Sequence, residues 1–356
     1  MRRLLEPLGA ADRLAPIESD GDGYAYRNRL VLPVRAAKDG ALRAGFFRAG
    51  SHRLVDVDAC AVQQPALWEA ARAVIAAART AKLSGYDELT GQGLVRHLVL
   101  RIAAGTGEIG VMLVTTADRW DGGPEFAAAL MRAVPAIAGV ARNLNPGVTN
   151  VILGPETITL AGRDHLTESL GGLTLRASLA GFFQANDAMT ARMLERIRAW
   201  TAGETGVVLD LYCGGGLLGL AAGEGTRSWL AGIEEHPQAV ADAIGNAGGA
   251  GPRVRYRVGT VEGALPALAA EGLDGLGTII VDPPRKGLLP EALAAVVRLE
   301  ARRIIYVSCD PMTFARDARE LVKHGWTLDT VVPLDMFPQT YHIELMARFT
   351  RPGRNS

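Results

Sequence analysis

The sequence predicts an α/β protein in two parts, a Rossmann-like half over residues 182–356 behind a mixed α+β half over 1–181. Three observations carry this. In the second half, apolar strand segments alternate with helical ones (GVVLDLY, SWLAGIE, VRYRVG, TIIVDPP, RIIYVSC), the pattern of a parallel sheet with crossover helices. These five segments end in polar or reactive residues, as expected where ligands bind beyond the carboxyl ends of strands. The first half instead shows strands in neighbouring pairs, and 356 residues exceed what one hydrophobic core usually holds, about 250–300. The change of character falls near Gly181.

The elements follow in order. RNRLVLPVRA and ALRAGFFRAG read as strands around a Lys38-Asp39-Gly40 turn, and HRLVDVDAC as a third. QPALWEAARAVIAAARTAKL has helical apolar spacing (Leu67, Ala71, Val74, Ile75, Ala78), with Pro65 suited to the first turn. RHLVLRIA and EIGVMLVTT form a strand pair around Gly105-Thr106-Gly107. A helix over about 124–139 and a strand pair over about 149–160 complete this half.

Composition narrows the class. Hydrophobic residues make up 48% and charged residues 21%, a globular balance. No apolar run nears the roughly 18 residues that cross a bilayer, and MRRLLEPLGAADR is too short in its apolar part for a signal peptide. A cytoplasmic protein is expected, with no membrane contact and no obligate protein partner evident. Cys60, Cys213 and Cys309 lie far apart and form no disulfide framework. The net charge of zero removes any argument from bulk basicity, yet Gly23–Arg53 carries a net +6. Such a stretch suits either a solvated face or a phosphate-binding surface.

VVLDLYCGGGLLGLAAG is a strand, a glycine turn and a helix start. Gly214, Gly215 and Gly216 let the backbone turn sharply and approach a ligand. The next strand ends in Glu234, 20 residues after Gly214, the offset at which an acid accepts hydrogen bonds from ribose hydroxyls. The turn lacks the G-x-G-x-x-G spacing of a pyrophosphate site, and the fourth strand ends in Asp282-Pro283-Pro284-Arg285. Carboxylates repel a pyrophosphate but attract a sulfonium. These features describe a class I S-adenosylmethionine-dependent methyltransferase domain.

Two reactive residues stand further along. YVSCDP places Cys309 at the end of an apolar strand, on the same sheet edge as the glycine turn; a core thiol fits that position as well. In HIELMARF, Ile343 and Leu345 alternate with His342 and Glu344, so the latter pair share a face. A surface strand carboxylate satisfies the same pattern.

Taken together, GFFQAN, DLYCGGG, GIEEHPQAVADAIGNA, VDPPRKGL, YVSCDPMTFARD and DMFPQTYHIE resemble the uracil-C5 RNA methyltransferases, which make 5-methyluridine in tRNA and large-subunit rRNA. The resemblance runs from about Tyr24 to Phe349. It implies Cys309 as nucleophile, Glu344 as base, and methyl-donor contacts at Gln184, Tyr212, Glu234 and Asp282. It also implies S-adenosylmethionine as methyl donor and an RNA substrate contacted by the 1–181 half, with a role in tRNA or rRNA processing. The chemistry explains these residue types: uracil C5 is too weak a nucleophile until a thiolate adds at C6, and the C5 hydrogen must then be removed by a base.

The sequence departs from the family in three places. Asp310 stands where asparagine is usual, and is expected to alter polarity beside the thiol. Only Cys60 matches a ligand of the iron–sulfur cluster that members usually hold, so no cluster is expected in this chain. The N-terminal β-barrel of many members has no counterpart in these residues. Other readings fit less well. Amino-group methyltransferases usually place an aromatic where Arg285 stands, 5-methylcytosine enzymes bring Pro-Cys to the fourth-strand motif, and an inactive RNA-binding member has no need of both thiol and carboxylate.

Overall fold

The computed structural model describes residues 1–37, 41–117, 119–147, 150–224, 229–248 and 254–351. The expected Lys38-Asp39-Gly40 turn lies outside the described residues. The chain divides into a central unit (24–169 with 176–181) and a C-terminal unit (1–23, 170–175 and 182 onward).

In the central unit, β1 (Arg29–Ala36), β2 (Leu42–Ala44), β3 (Val95–Ala103), β4 (Glu108–Thr115), β5 (Ile137–Leu144) and β6 (Glu156–Gly162) form one sheet in the order β2-β1-β3-β4-β5-β6. Helix α1 (Pro65–Thr80) starts at the expected proline and buries Leu67, Ala71, Val74 and Ala78 against this sheet. Helix α2 (Gly123–Ala133) connects the parallel pair β4 and β5.

Three expectations fail here. The helix over 124–139 stops at Ala133, because Pro135 ends it, and Ile137–Leu144 becomes an interior strand. Of the strand pair expected over 149–160, which begins at a residue outside the described ones, the described residues form β6 alone, paired with β5, and two further strands, His165–Leu170 and Leu173–Ser178, follow. HRLVDVDAC supplies only Leu54–Val55, paired with Phe46–Phe47. The basic stretch is also less basic than it reads, since Arg35 bonds Glu88 and Arg43 bonds Asp56 at 2.6 Å.

In the C-terminal unit, β7 (Val207–Leu211), β8 (Leu230–Glu234), β9 (Val254–Val258), β10 (Leu276–Val281), β11 (Arg303–Ser308), β12 (Thr327–Leu334) and β13 (Glu344–Thr350) form a seven-stranded sheet in the order β9-β8-β7-β10-β11-β13-β12. The first five strands are parallel, and β13 runs antiparallel between β11 and β12. Helices α3 (Asp187–Thr201), α4 (Leu217–Gly223), α5 (Pro237–Asn246), α6 (Val261–Ala270), α7 (Pro290–Arg298) and α8 (Pro311–Lys323) accompany them. Continuous apolar strands such as Leu276–Val281, buried at every residue, reflect cover on both faces. Strand order reverses at β7, which opens a crevice beyond its carboxyl end.

Residues 1–23 do not join the first half as the 1–181 boundary has it. Leu14 bridges Val331 and Glu18 bridges Leu334 beside β12, while Leu5 is buried in the C-terminal core. These hydrogen bonds continue a distant sheet edge, so no local pattern betrays them. Among the described residues, no helix is long and apolar enough to cross a membrane.

Candidate active site

Strand β7 delivers Asp210 and then the glycine turn. Tyr212 has φ 63°, Gly214 φ 51° and Gly216 φ 84°, a run of left-handed residues that a non-glycine side chain resists. At Gly216 a Cβ would also sit 3.0 Å from the Tyr256 hydroxyl and 3.2 Å from Ala243 Cβ, so glycine is required twice over. Cys213 is buried against Tyr256, Val240 and Ala243 and belongs to the core.

Three carboxylates meet at adjacent strand ends. Glu234, closing β8, accepts from Gly214 N–H at 3.1 Å and His236 N–H at 2.9 Å. Each of its oxygens keeps a further lone pair. Asp210 accepts from Gly219 N–H at 2.8 Å with Oδ2, while buried Oδ1 has no hydrogen-bond partner among the described residues. Burial, reinforced by the charges of Asp282 and Glu234, pushes Asp210 up to about 8. Asp282, after β10, is likewise raised by lost hydration. A cluster of carboxyl groups that disfavours further negative charge, with an orphaned buried oxygen, beside a turn where a Cβ on Gly214 would meet nothing within 4 Å, fits an adenosine ribose and a sulfonium cation, whose charge would stabilise their ionised forms.

Asp282 links this end to the reactive residues. Strands β11 and β13 pair as far as Ser308 opposite Leu345, so Cys309, the residue after β11, and Glu344, the first residue of β13, lie at the same end of this strand pair. Because β13 is an interior strand, Glu344 is buried, contrary to the surface reading. Burial and then the Asp282 charge raise its carboxyl well above the usual range, against the opposing Arg285 charge. Half-buried Cys309 is raised by burial, then by Glu344 and Asp282, with Arg285 opposing.

Helix α8 holds both loops of this site. Asp310 caps it, accepting from Met312 N–H at 2.8 Å and Thr313 N–H at 3.1 Å; asparagine serves that position equally. The carboxylate that departs from the family pattern thus has a structural task. Thr313 Oγ1 donates to Arg285 O at 3.1 Å, and Asp317 accepts from Leu288 N–H at 2.8 Å. Gln184 is buried in the loop before α3. Its neighbour Asn186 caps α3 and donates to Met336 O at 3.2 Å, which ties the loop to the segment leading into β13.

Asp210 and Arg285 were not among the sequence candidates. Asp210 ends the first strand of the glycine motif, where its acidity points to the methyltransferase class without marking it as a site residue; nothing local marks Arg285 as the cation whose charge acts on both Cys309 and Glu344. The three cysteines are free. Among the described residues, no group of three or more His, Cys, Asp or Glu side chains could hold a metal ion.

This strand order, with an antiparallel last strand and carboxylates around a glycine turn, defines a class I S-adenosylmethionine-dependent methyltransferase. The sequence model of the tRNA (uracil-5-)-methyltransferase family matches residues 274–350. An uncharacterised RNA methyltransferase of Gloeobacter violaceus is 37% identical over 357 residues, 99% of this chain and 76% of the relative. One from Halalkalibacterium halodurans is 34% identical over 350 residues, 97% of this chain and 75% of its own. The crystal structure of a Pyrococcus abyssi tRNA (uracil-54, C5)-methyltransferase in complex with S-adenosyl-L-homocysteine superposes with a TM-score of 0.78 at 26% identity, covering 98% of this chain and 80% of that one. The chain belongs to the uracil-C5 RNA methyltransferase family and is an S-adenosylmethionine-dependent RNA methyltransferase.

Proposed function

We propose that the chain methylates C5 of a uridine in structured tRNA or rRNA through a transient bond between Cys309 Sγ and C6 of the ring. The observation that carries the reading is that Cys309 follows β11 at the end where buried Glu344 opens the neighbouring β13, close enough for the carboxylate's charge to act on the thiol. Cys309, having lost its proton to solvent, adds to C6 as the thiolate, moving the C5=C6 electrons into an enolate at O4. S-adenosylmethionine, when bound, supplies the electrophilic methyl carbon. C5 attacks that carbon as its bond to sulfur breaks. Glu344 removes the C5 hydrogen, the C5=C6 bond re-forms, and the thiolate leaves. Arg285 offsets the charge of the neighbouring carboxylates. The central unit contacts the RNA, and the target base is unstacked, because C6 is out of reach inside a duplex.

Gln184, Tyr212, Glu234 and Asp282 hold the methyl donor, with Glu234 on the ribose hydroxyls. Glu234→Ala is expected to weaken S-adenosylmethionine binding by about 2–3 kcal/mol, since charge-assisted bonds are lost and the glycine turn loses its tie to β8. Titration calorimetry showing wild-type affinity in this variant refutes the assignment.

The proposal is tested by incubating the protein with unmodified tRNA and large-subunit rRNA transcripts and analysing the nucleoside digest. The expected product is 5-methyluridine. Recovery of 5-methylcytosine or an N-methylated base, or RNA binding with no product, rejects it.

A further inference from the structure

In the segment that leads into β13 stands an aromatic side chain in an unusual setting. Tyr341, three residues before Glu344, is 90% exposed. Its ring lies against His342 with centroids 4.2 Å apart at 40°. His342 in turn meets Phe337 edge-on, 6.2 Å away at 74°, and Arg285 Nη2 lies 3.3 and 3.4 Å from its two ring nitrogens. The backbone of this segment is held as well. Thr340 Oγ1 donates to Phe337 O at 2.7 Å and accepts from His342 N–H at 3.2 Å, following Gln339 in a left-handed conformation.

A large aromatic ring left in water yet carried on a fixed support is a preorganised stacking surface. Nucleobases stack on such rings whatever their identity, because every base has a π face. The target ring itself must lie over Cys309, so an exposed ring three residues before Glu344, linked through His342 to Arg285, is set to meet a neighbouring nucleotide instead. We propose that Tyr341 is a stacking platform for the nucleobase next to the target uridine, a positioning residue that helps keep the target base unstacked. This rests on the uridine reading given above. Arg285, behind the ring beyond His342, adds positive charge, which suits a polyanion more than an acidic protein surface.

The test compares the wild type with Tyr341→Ala and Tyr341→Phe on a transcript that the wild type methylates, intact or with abasic nucleotides flanking the target uridine. Tyr341 is solvent-exposed, so replacing it leaves the core untouched. Tyr341→Ala is expected to raise KM for the intact RNA about tenfold, within the range of one lost base stack, with kcat and S-adenosylmethionine affinity unchanged. Tyr341→Phe keeps the ring and matches the wild type. The abasic RNA raises the wild-type KM by a similar factor but leaves Tyr341→Ala unmoved. Methylation by Tyr341→Ala with an unaltered KM, or with the wild-type response to the abasic RNA, overturns this proposal alone. Absence of 5-methyluridine even with the wild type overturns the uridine reading and this proposal with it.

Discussion

Cys309→Ala is expected to abolish methyl transfer, by at least about a thousandfold in kcat, or about 4 kcal/mol in the barrier, while both substrates still bind. Removing Sγ leaves C5 of uracil as an unactivated vinylic carbon, and no other step in the reaction makes it nucleophilic. The loss is confined to chemistry because Cys309 is only half-buried and packs in no core cluster. The wild type carries a companion signature in its pH profile. Burial and the charges of Glu344 and Asp282 hold the thiol above its ordinary value, about 8.5 for a free cysteine. The reactive form is the thiolate, so the fraction competent to attack climbs about tenfold per pH unit below that raised pKa. Glu344 is also raised and must be ionised to accept a proton. Both shifts have the same sign, and kcat/KM should therefore rise from neutral into alkaline pH. A flat profile from pH 6 to 9, with the chemical step limiting, contradicts these assignments.

The parts of the site legible in the sequence were those whose chemistry is local. The glycine turn, the acid 20 residues later and the thiol at a strand end each sit within a single strand-to-loop segment. The C-terminal sheet followed from short apolar runs alternating with helical segments, because strands buried on both faces read as continuous apolar stretches and a parallel sheet needs a crossover between them. What escaped depends on distant partners. Ile137–Leu144 has an apolar pattern compatible with helix or strand; Pro135 cuts it off from α2, and its place between β4 and β6 makes it a strand. Residues 1–23 pair with a strand more than 300 residues away. Glu344 read equally well as a surface residue, since nothing within HIELMARF shows that β13 lies between two other strands. Asp310 looked like a change to the reactive centre, and its helix-capping bonds appear only once α8 is seen to start there.

Glu344→Gln separates the base from the nucleophile, because the two variants stop at different points on one path. With the thiol intact, addition to C6 and methyl transfer proceed. The amide cannot take the C5 proton, so elimination stalls and the methylated RNA stays bonded to Cys309. A protein–RNA band surviving denaturing electrophoresis is expected for Glu344→Gln and is absent from Cys309→Ala and from the double variant. Their rate effects should not add, since both remove steps of a single sequence. Misfolding does not imitate this result. Glu344 is buried and its folded-state pKa is raised, so its ionisation opposes folding above the ordinary carboxylate pKa of about 4.3. A neutral amide of similar volume relieves that penalty, and Glu344→Gln should melt no lower than the wild type, with the difference growing as pH rises. A variant that is stable and still turns over freely places the base elsewhere, and an adduct that forms without Cys309 places the nucleophile elsewhere.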